Sequence, residues 1–450
     1  MNRYYIRKGK DLKILGVARP ECVVLPLPKT IAIYPLEFKG LKPRVVVKPD
    51  EAVKVGDLLI EDKNGTGICV TSPVSGKVIA VNRGERRVLV NVVIQTDGKQ
   101  EQVSLKTVSE TSSREECVNA LLKSGLWPAL RQRPFSKISV PTEVPKSIFI
   151  KALHTDPLSL DLGSVLDGQE VVLQAGLDLV RKLTDGDVHL CYGSEAESSV
   201  LKEAQNVKHQ IFSGPHPAGN VSTFLHNVDP INKGEIIWYM DVQDVLRYGV
   251  FALEGRYSAD RVVAVTGEGV SKGHRQYVRT IIGAPIQECV QGEVLQKDHR
   301  YLSGSLLSGF DAGYNGFVRF YDSQIHVLPD FPQRKLLRFF RPGFNEYTFS
   351  HTYAGTFLGK NRQETSLDTS VNGSNRAIVV NDVFDKYVPL DIYTFFLLKA
   401  IMVGEWDEAE KLGLLECDPE DFALAAFACP SKTDVMGLIA QGLDSIEREG

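Results

Sequence analysis

Cysteine is sparse in this chain, and the seven present are scattered: Cys22, Cys69, Cys117, Cys191, Cys289, Cys417 and Cys429. No two stand close enough for a Cys-x-x-Cys pair. A zinc or iron–sulfur centre needs clustered ligands, so neither is expected here. Unclustered cysteines in odd number fit buried free thiols in a reducing cytoplasm. Positive charge is not in excess either. The 52 Lys and Arg face 56 Asp and Glu, a formal net charge of −4. That removes the basic footprint of a nucleic-acid-binding face. Long apolar runs are missing. The best candidate, Tyr393 to Val403 (YTFFLLKAIMV), is short of the ~18–20 residues of a membrane span and carries Lys399. The opening MNRYYIRKGKDLKILG lacks the apolar core of a signal peptide. A chain that does not itself cross a membrane is expected.

What is present is ordinary for a globular protein: 43% hydrophobic and 24% charged residues. At 450 residues the chain exceeds a single core, and about three domains are expected.

The first hundred residues read as β-structure. Arg44 to Lys48, Val53 to Ile60 and Lys77 to Val81 are strand-like, separated by Pro, Gly and Asn turns. In NRGERRVLVNVVIQ (82–95), Val88, Val90, Val92 and Ile94 alternate with Leu89, Asn91, Val93 and Gln95. Period two predicts a strand with one buried side. Ser113 is expected to cap a helix to Ser124, with Glu115 and Glu116 in its first turn. Pro134, Pro141 and Pro145 suggest an extended linker. From Ser147 strands and helices alternate, which predicts an α/β layer with a partly parallel sheet. Arg261–Thr266 and Gln276–Ile282 begin a smaller β module. The stretch from about Pro389 is helical, with Asp418-Pro419-Glu420-Asp421 as a helix start.

Several stretches come near to a cofactor site. Gly267 to Gly273 follows a strand, but its glycine spacing is one residue too long and a β-branched run follows instead of a helix. A β-turn is the simpler reading. Gly355 to Asn361 resembles a Walker loop, one residue short and with Asn361 where magnesium needs Ser or Thr, so chance explains it. Gly304, Gly309, Gly313 and Gly316 read as turns. Lys63 sits where lipoyl and biotinyl carriers place their modified lysine, but Asn64-Gly65 follows at once, so a carrier fold without the modification is expected. Arg83, Arg86 and Arg87 crowd a glycine turn, yet no helix N-terminus completes an anion cradle there. They are expected at a wet β-corner, available to a partner. The loop Ser213 to Asn220 (SGPHPAGN) follows a strand of the α/β layer, where ligands bind. A rigid structural loop is the simpler reading of it. As a ligand or partner contact it offers His216, Pro217 and Gly219, with His226 ten residues beyond His216.

Taken in order, ten-odd segments resemble one family, the NqrA subunits of the sodium-translocating NADH:quinone reductase. They include KGKDLKILG, KPRVVVKPDEAVKVGDLLIEDK, SPVSGKVIAVNRGERRVL, FSGPHPAGNVSTFLHNVDP, DRVVAVTGEGV, LSGSLLSG, VNGSNRAIV, PLDIYTFFLL and CDPEDFALAAFACPSK. The resemblance implies a multidomain α/β and α+β protein, similar to the NADH-binding subunit of respiratory complex I with two added modules. Residues 1–103 would be a biotinyl/lipoyl-carrier-like barrel-sandwich module and 104–146 a linker with a short helix. A Rossmann-like α/β domain would span 147–257, a β-grasp (SLBB-like) module 258–335, and a mainly helical domain 336–450. It further implies a peripheral subunit on the cytoplasmic face of a bacterial inner membrane, bound to integral membrane partners and carrying no redox centre or catalytic residue of its own. NADH, FAD, FMN, riboflavin, a 2Fe-2S cluster, ubiquinone and Na⁺ would be handled by other subunits. Quinone contact, if made by this chain, is expected at His216, Pro217, Gly219 and His226. Two rivals are a stand-alone flavin- or NADH-binding oxidoreductase and an acyl carrier modified at Lys63.

Overall fold

A computed structural model describes residues 1–109, 111–196, 199–291, 299–330, 340, 342–344, 347, 349, 353–357 and 364–449. Part of the Walker-like loop, Leu358 to Asn361, lies outside the described residues.

The first strands leave the N-terminal β-module altogether. β1 (Asn2–Tyr5) runs parallel to residues 210–213, and β2 (Arg19–Val24) parallel to residues 276–279. These pairings span some two hundred residues or more, so no local pattern announces them. β3 (Thr30–Ile33), β4 (Pro43–Val45), β5 (Ala52–Val53), β6 (Leu58–Asp62), β7 (Cys69–Thr71), β8 (Gly76–Arg83) and β9 (Leu89–Thr96) follow. They make a four-stranded sheet, β3-β9-β8-β5, and a three-stranded one, β4-β6-β7. Ile31, Ile60, Val70, Val78 and Val92 join them in one core. Val88 and Val90 do not share a buried face with Val92 and Ile94 as expected: the alternation holds at the start of β9 and then breaks, with Asn91 to Ile94 all buried. Val88 and Val90 are exposed while Leu89 and Asn91 are buried, and the β8–β9 register shifts at Asn82/Arg83. A bulge of this kind re-aims side chains and ends the simple period.

α1 (Arg114–Ser124) begins as expected. The Ser113 side chain accepts the Glu116 amide, the Glu116 carboxylate accepts the Ser113 amide, and Gly125 ends the helix at φ 74°. The proline-bearing stretch after it carries a hairpin, β10 (Arg131–Arg133) and β11 (Lys137–Ile138). That hairpin joins a sheet with β12 (Ser147–Ala152), β13 (Asp187–Gly193), β14 (Lys208–Ser213) and β15 (Ile237–Asp241). The order is β1-β14-β13-β12-β15-β10-β11, parallel from β1 to β15 and antiparallel beyond. The chain steps outward from β12 to β14 and then returns to the other side of β12.

Helices α2 (Glu170–Arg181), α3 (Val221–Val228) and α4 (Val242–Glu254) connect or follow these strands. Two glycines set how closely α2 and α4 cross. A Cβ on Gly176 would lie 2.1 Å from the Val245 carbonyl oxygen, and one on Gly249 1.8 Å from that of Val172. Backbones meet there without room for a methyl group.

The second large sheet contains β16 (Asp260–Thr266), β17 (Gln276–Ile281), β18 (His299–Ser303), β19 (Phe310–Asp311) and β20 (Gln324–Pro329). Its order is β19-β18-β20-β16-β17-β2. The glycines 267–273 form the connection between antiparallel β16 and β17, a turn as the sequence suggests. Toward the C-terminus, α5 (Thr394–Val403) and α6 (Val435–Glu449) bury Leu397, Ile401, Ile439 and Leu443 with Phe422. Asp418 caps the turn at Pro419–Phe422 through a reciprocal pair with Asp421. Five cysteines are buried, but Cys22 is exposed and Cys69 half-buried; all seven are free thiols.

Candidate functional site

A parallel sheet whose strand order reverses leaves a crevice beyond the C-terminal ends of the two strands at the reversal. Here those strands are β12 and β15. A cleft of about 200 Å³ opens at that place, between the two large sheets. Lys151 and Asp241 are register partners on β12 and β15, so both side chains project from the same face. Lys151 is the one charge in the strand Ser147–Ala152, which is otherwise apolar but for Ser147. The far wall is the glycine-rich turn after β18, from Ser303 to Phe310, together with Asp322 to Gln324. Gly304 has φ +94°, a conformation that favours glycine, and packs on the Asp322 carboxylate.

The walls are tied to each other. Asp241 caps α4 by accepting the Gln243 amide at 2.9 Å. The Gln243 side chain then reaches β16, accepting the Val262 amide at 2.9 Å and donating to the Val262 carbonyl at 3.2 Å. Asp244, on the same turn, receives Arg247 and Arg261 at 2.9 Å each. Side chains on α4 thus fix the seven-stranded sheet to the six-stranded one.

The electrostatics follow from burial set against nearby charge. Burial would lower the Lys151 ammonium, but Glu420, Asp156 and Asp241 outweigh it and raise the pKa, so it stays charged. Burial would raise Asp156, but His216, Lys151 and the hydroxyl of Ser305 hold it down to about 2. Burial also works against Asp241, and His154 and Arg261 keep it below the usual carboxylate range. His154 Nε2 lies 2.7 Å from Asp241, while its Nδ1 is buried with no hydrogen-bond partner among the described residues. Arg131 is stacked between Tyr239 and Tyr321, 5.2 and 5.0 Å from the ring centres.

The residues singled out in the sequence are only partly brought together. His216 is 1% exposed, because residues 9–11 cross over its loop. Its amide donates to Asp11 at 2.9 Å, its carbonyl accepts the Lys10 amide at 2.8 Å, and Gly9 passes where a Cβ would meet that carbonyl at 2.2 Å. His216 Nδ1 is 3.3 Å from the Thr155 hydroxyl, which also accepts the Gly219 amide at 2.9 Å. Pro217 follows a cis peptide bond and is buried with Gly219. The loop therefore buttresses residues 154–156 from behind and presents no exposed contact of its own. His226 is elsewhere, on α3, 2.7 Å from Glu416. Arg83, Arg86 and Arg87 are exposed at the β8–β9 turn, with Arg83 donating to the Arg87 carbonyl at 3.2 Å. Lys151, His154 and Asp241 escaped the sequence reading. The signal available for them was a lone lysine closing an apolar strand, followed by His and Asp. Among the described residues, no group of three or more His, Cys, Asp or Glu could hold a metal ion.

Comparison with known proteins defines the class through three successive domains. Residues 4–97 match the NqrA N-terminal barrel-sandwich hybrid domain, 112–257 the NqrA second alpha/beta domain, and 262–313 the SLBB model described as the NQRA C-terminal domain. The chain belongs to the NqrA family, the first-lettered subunits of the Na(+)-translocating NADH-quinone reductase. It is 37% identical over 450 residues to the corresponding protein of Saccharophagus degradans, covering 99% of both chains. The Neisseria meningitidis serogroup A and Alcanivorax borkumensis proteins of the same name are 37% and 36% identical, again over 99% of both chains. Among solved structures, an air-oxidized NAD⁺-reducing [NiFe]-hydrogenase aligns over 74% of this chain and 66% of its own, at 12% identity and a TM-score of 0.38. That likeness is too distant to define the fold. Among the described residues no helix is long and apolar enough to cross a membrane.

Proposed function

We propose that the chain is the peripheral subunit of a respiratory sodium pump that passes electrons from NADH to ubiquinone. It docks on membrane-embedded partners at the cytoplasmic face of a bacterial inner membrane. The observation that carries this reading is family membership along the whole chain, 37% identity over 99% of both proteins. In this reading the β-module is carrier-like, residues 147–257 are a Rossmann-like unit, 258–335 a β-grasp unit, and 336–450 a mainly helical unit. The strand order β14-β13-β12-β15 supports the Rossmann-like assignment.

The redox groups of the complex, FAD, FMN, riboflavin and a 2Fe-2S cluster, sit on other subunits, as do the ubiquinone and Na⁺ paths. The loop after β12, residues 153–162, contains no glycine, and a dinucleotide phosphate needs the close backbone approach that glycine permits. The same feature speaks against a stand-alone NADH or flavin oxidoreductase. Arg83, Arg86 and Arg87 form a docking corner for a partner protein of the complex. His216, Pro217 and Gly219 serve the complex by holding residues 154–156 in place.

The test is complementation. A bacterium lacking its own NqrA should regain sodium-stimulated NADH:quinone reductase activity in its membranes when it receives this chain. No gain, with the chain present and folded, would refute the reading. Arg86→Glu with Arg87→Glu should reduce the amount of assembled complex, and undiminished assembly would remove the docking role.

A further inference from the structure

We propose that the uncovered face of α5 docks a basic amphipathic segment of a partner protein, one whose apolar stripe is flanked by Lys or Arg. This rests on the assembly proposed above and gives one of its contacts a place and a chemistry.

The sequence of α5, TFFLLKAIMV, is apolar all round but for Thr394 and Lys399. A helix of that composition is ordinarily covered on every side. Its ten residues are too few to cross a bilayer, so the cover has to be protein or the membrane surface. This chain covers one side only, through Leu397, Leu398, Ala400 and Ile401. On the other side Tyr393, Phe396, Met402 and Val403 are from 50% to 72% exposed. At about 100° per residue, Phe396, Lys399, Met402 and Val403 fall within about a third of the helix circumference. Tyr393, just ahead of the helix, meets Phe396 edge to face with ring centres 6.4 Å apart, and Phe395 lies 5.7 Å from Phe396 on the same pattern. A contiguous exposed apolar patch with a polar rim marks an interaction site.

The rim selects the occupant. The exposed charges from residue 391 to 411 are Asp391, Glu405, Asp407 and Glu408 against Lys399 and Lys411. Lys411 pairs with Glu408 at 3.8 Å, and the Lys399 ammonium lies over the Phe395 ring, 5.7 Å from its centre. Asp391, Glu405 and Asp407 form no ion pair among the described residues. Glu405 and Asp407 follow the end of α5 and add to the negative end of its dipole. An anionic bilayer surface is repelled by such a rim. A second copy of this chain would bring the same acidic excess against it. A segment with Lys or Arg beside an apolar stripe satisfies patch and rim together.

The experiment has two arms. In the first, the purified full-length chain is titrated with a fluorescent leucine/lysine peptide of amphipathic helical pattern and with its leucine/glutamate counterpart. Saturable binding of the lysine peptide is expected, with the glutamate peptide about tenfold weaker or more. Phe396→Ser should weaken the lysine peptide about tenfold or more, as loss of a central aromatic anchor does. Glu405→Lys with Asp407→Lys should weaken it several-fold, most at low salt. All three side chains are exposed, so the variants should melt as the unaltered chain does. In the second arm, Phe396→p-benzoylphenylalanine is cross-linked by light within the assembled membrane complex. Mass spectrometry should place the cross-link on a segment of another protein with an apolar stripe flanked by Lys or Arg. Absent binding of the lysine peptide, or binding that the folded variants leave unchanged, would overturn the proposal. So would cross-linking to lipid, to a second copy of this chain, or to nothing. Failed complementation with peptide binding intact strikes the assembly and not this face, whereas successful complementation without the cross-link strikes this face alone.

Discussion

Asp244 holds the sheet-to-sheet junction, and its loss has a calculable cost. The carboxylate is 2% exposed and receives Arg247 and Arg261 at 2.9 Å each, both arginine side chains being 1% exposed. The remaining contacts of those arginines are neutral: the Ser258 carbonyl at 2.8 Å, the Tyr257 hydroxyl at 3.0 Å and the Phe320 carbonyl at 2.9 Å. Asp244→Asn keeps the shape and removes the one counter-charge that the described residues place in contact with the two buried cations. Breaking a buried ion pair from one side costs about 3–5 kcal/mol. For a cooperative unit of 150–250 residues, each kcal/mol moves Tm by roughly 2–4 °C, so a fall of about 6–20 °C is expected. Scanning calorimetry of the full chain should show this in the transition that melts the α/β layer. The triple change Asp244→Leu, Arg247→Met, Arg261→Met should recover most of the loss, since packed apolar groups substitute well for buried charges. A single-variant loss below about 1 kcal/mol, the range of exposed pairs, would refute the reasoning. So would a triple variant no more stable than Asp244→Asn.

Two further outcomes follow from local geometry. Glu416 bonds His226 and raises its pKa above the ordinary value; partial burial and the nearby Lys8 charge pull the other way and are outweighed. A raised folded pKa stabilises fully below the unfolded value of about 6.5 and ceases to do so as pH rises through the folded one. Hydrogen exchange at α3 should therefore quicken as pH rises through that window, after correction for intrinsic rates, and Glu416→Gln should flatten the dependence. Gly249→Ala should destabilise the α2–α4 crossing by about 1–3 kcal/mol despite alanine's better helix propensity, because its Cβ meets a backbone oxygen. A thermal melt unchanged or raised would show that the helices can part without cost.

What the sequence revealed was local. Ser113 with Glu116, and Asp418 with Asp421, are caps whose partners lie three residues away, and both formed as read. The strands from Ser147 to Asp241 were visible because apolar runs and amphipathic helices carry their own periods. The pairings of β1 and β2 were not, since each joins a sheet built hundreds of residues later. The SGPHPAGN loop read more simply as a rigid structural loop than as a ligand or partner contact, but nothing in its composition shows that residues 9–11 cover it. The cleft was invisible for the same reason. Lys151, Asp241 and the turn after β18 converge only through strand order, and His154 meets Asp241 across 87 residues of chain.

The central claim is membership of a working sodium-translocating complex. The most direct measurement is affinity purification of the tagged chain from detergent-solubilised native membranes, with NADH:quinone reductase activity assayed with and without Na⁺. Co-purification of membrane-embedded partners with sodium-stimulated activity is predicted. Recovery of a folded chain free of partners and of that activity would contradict the account.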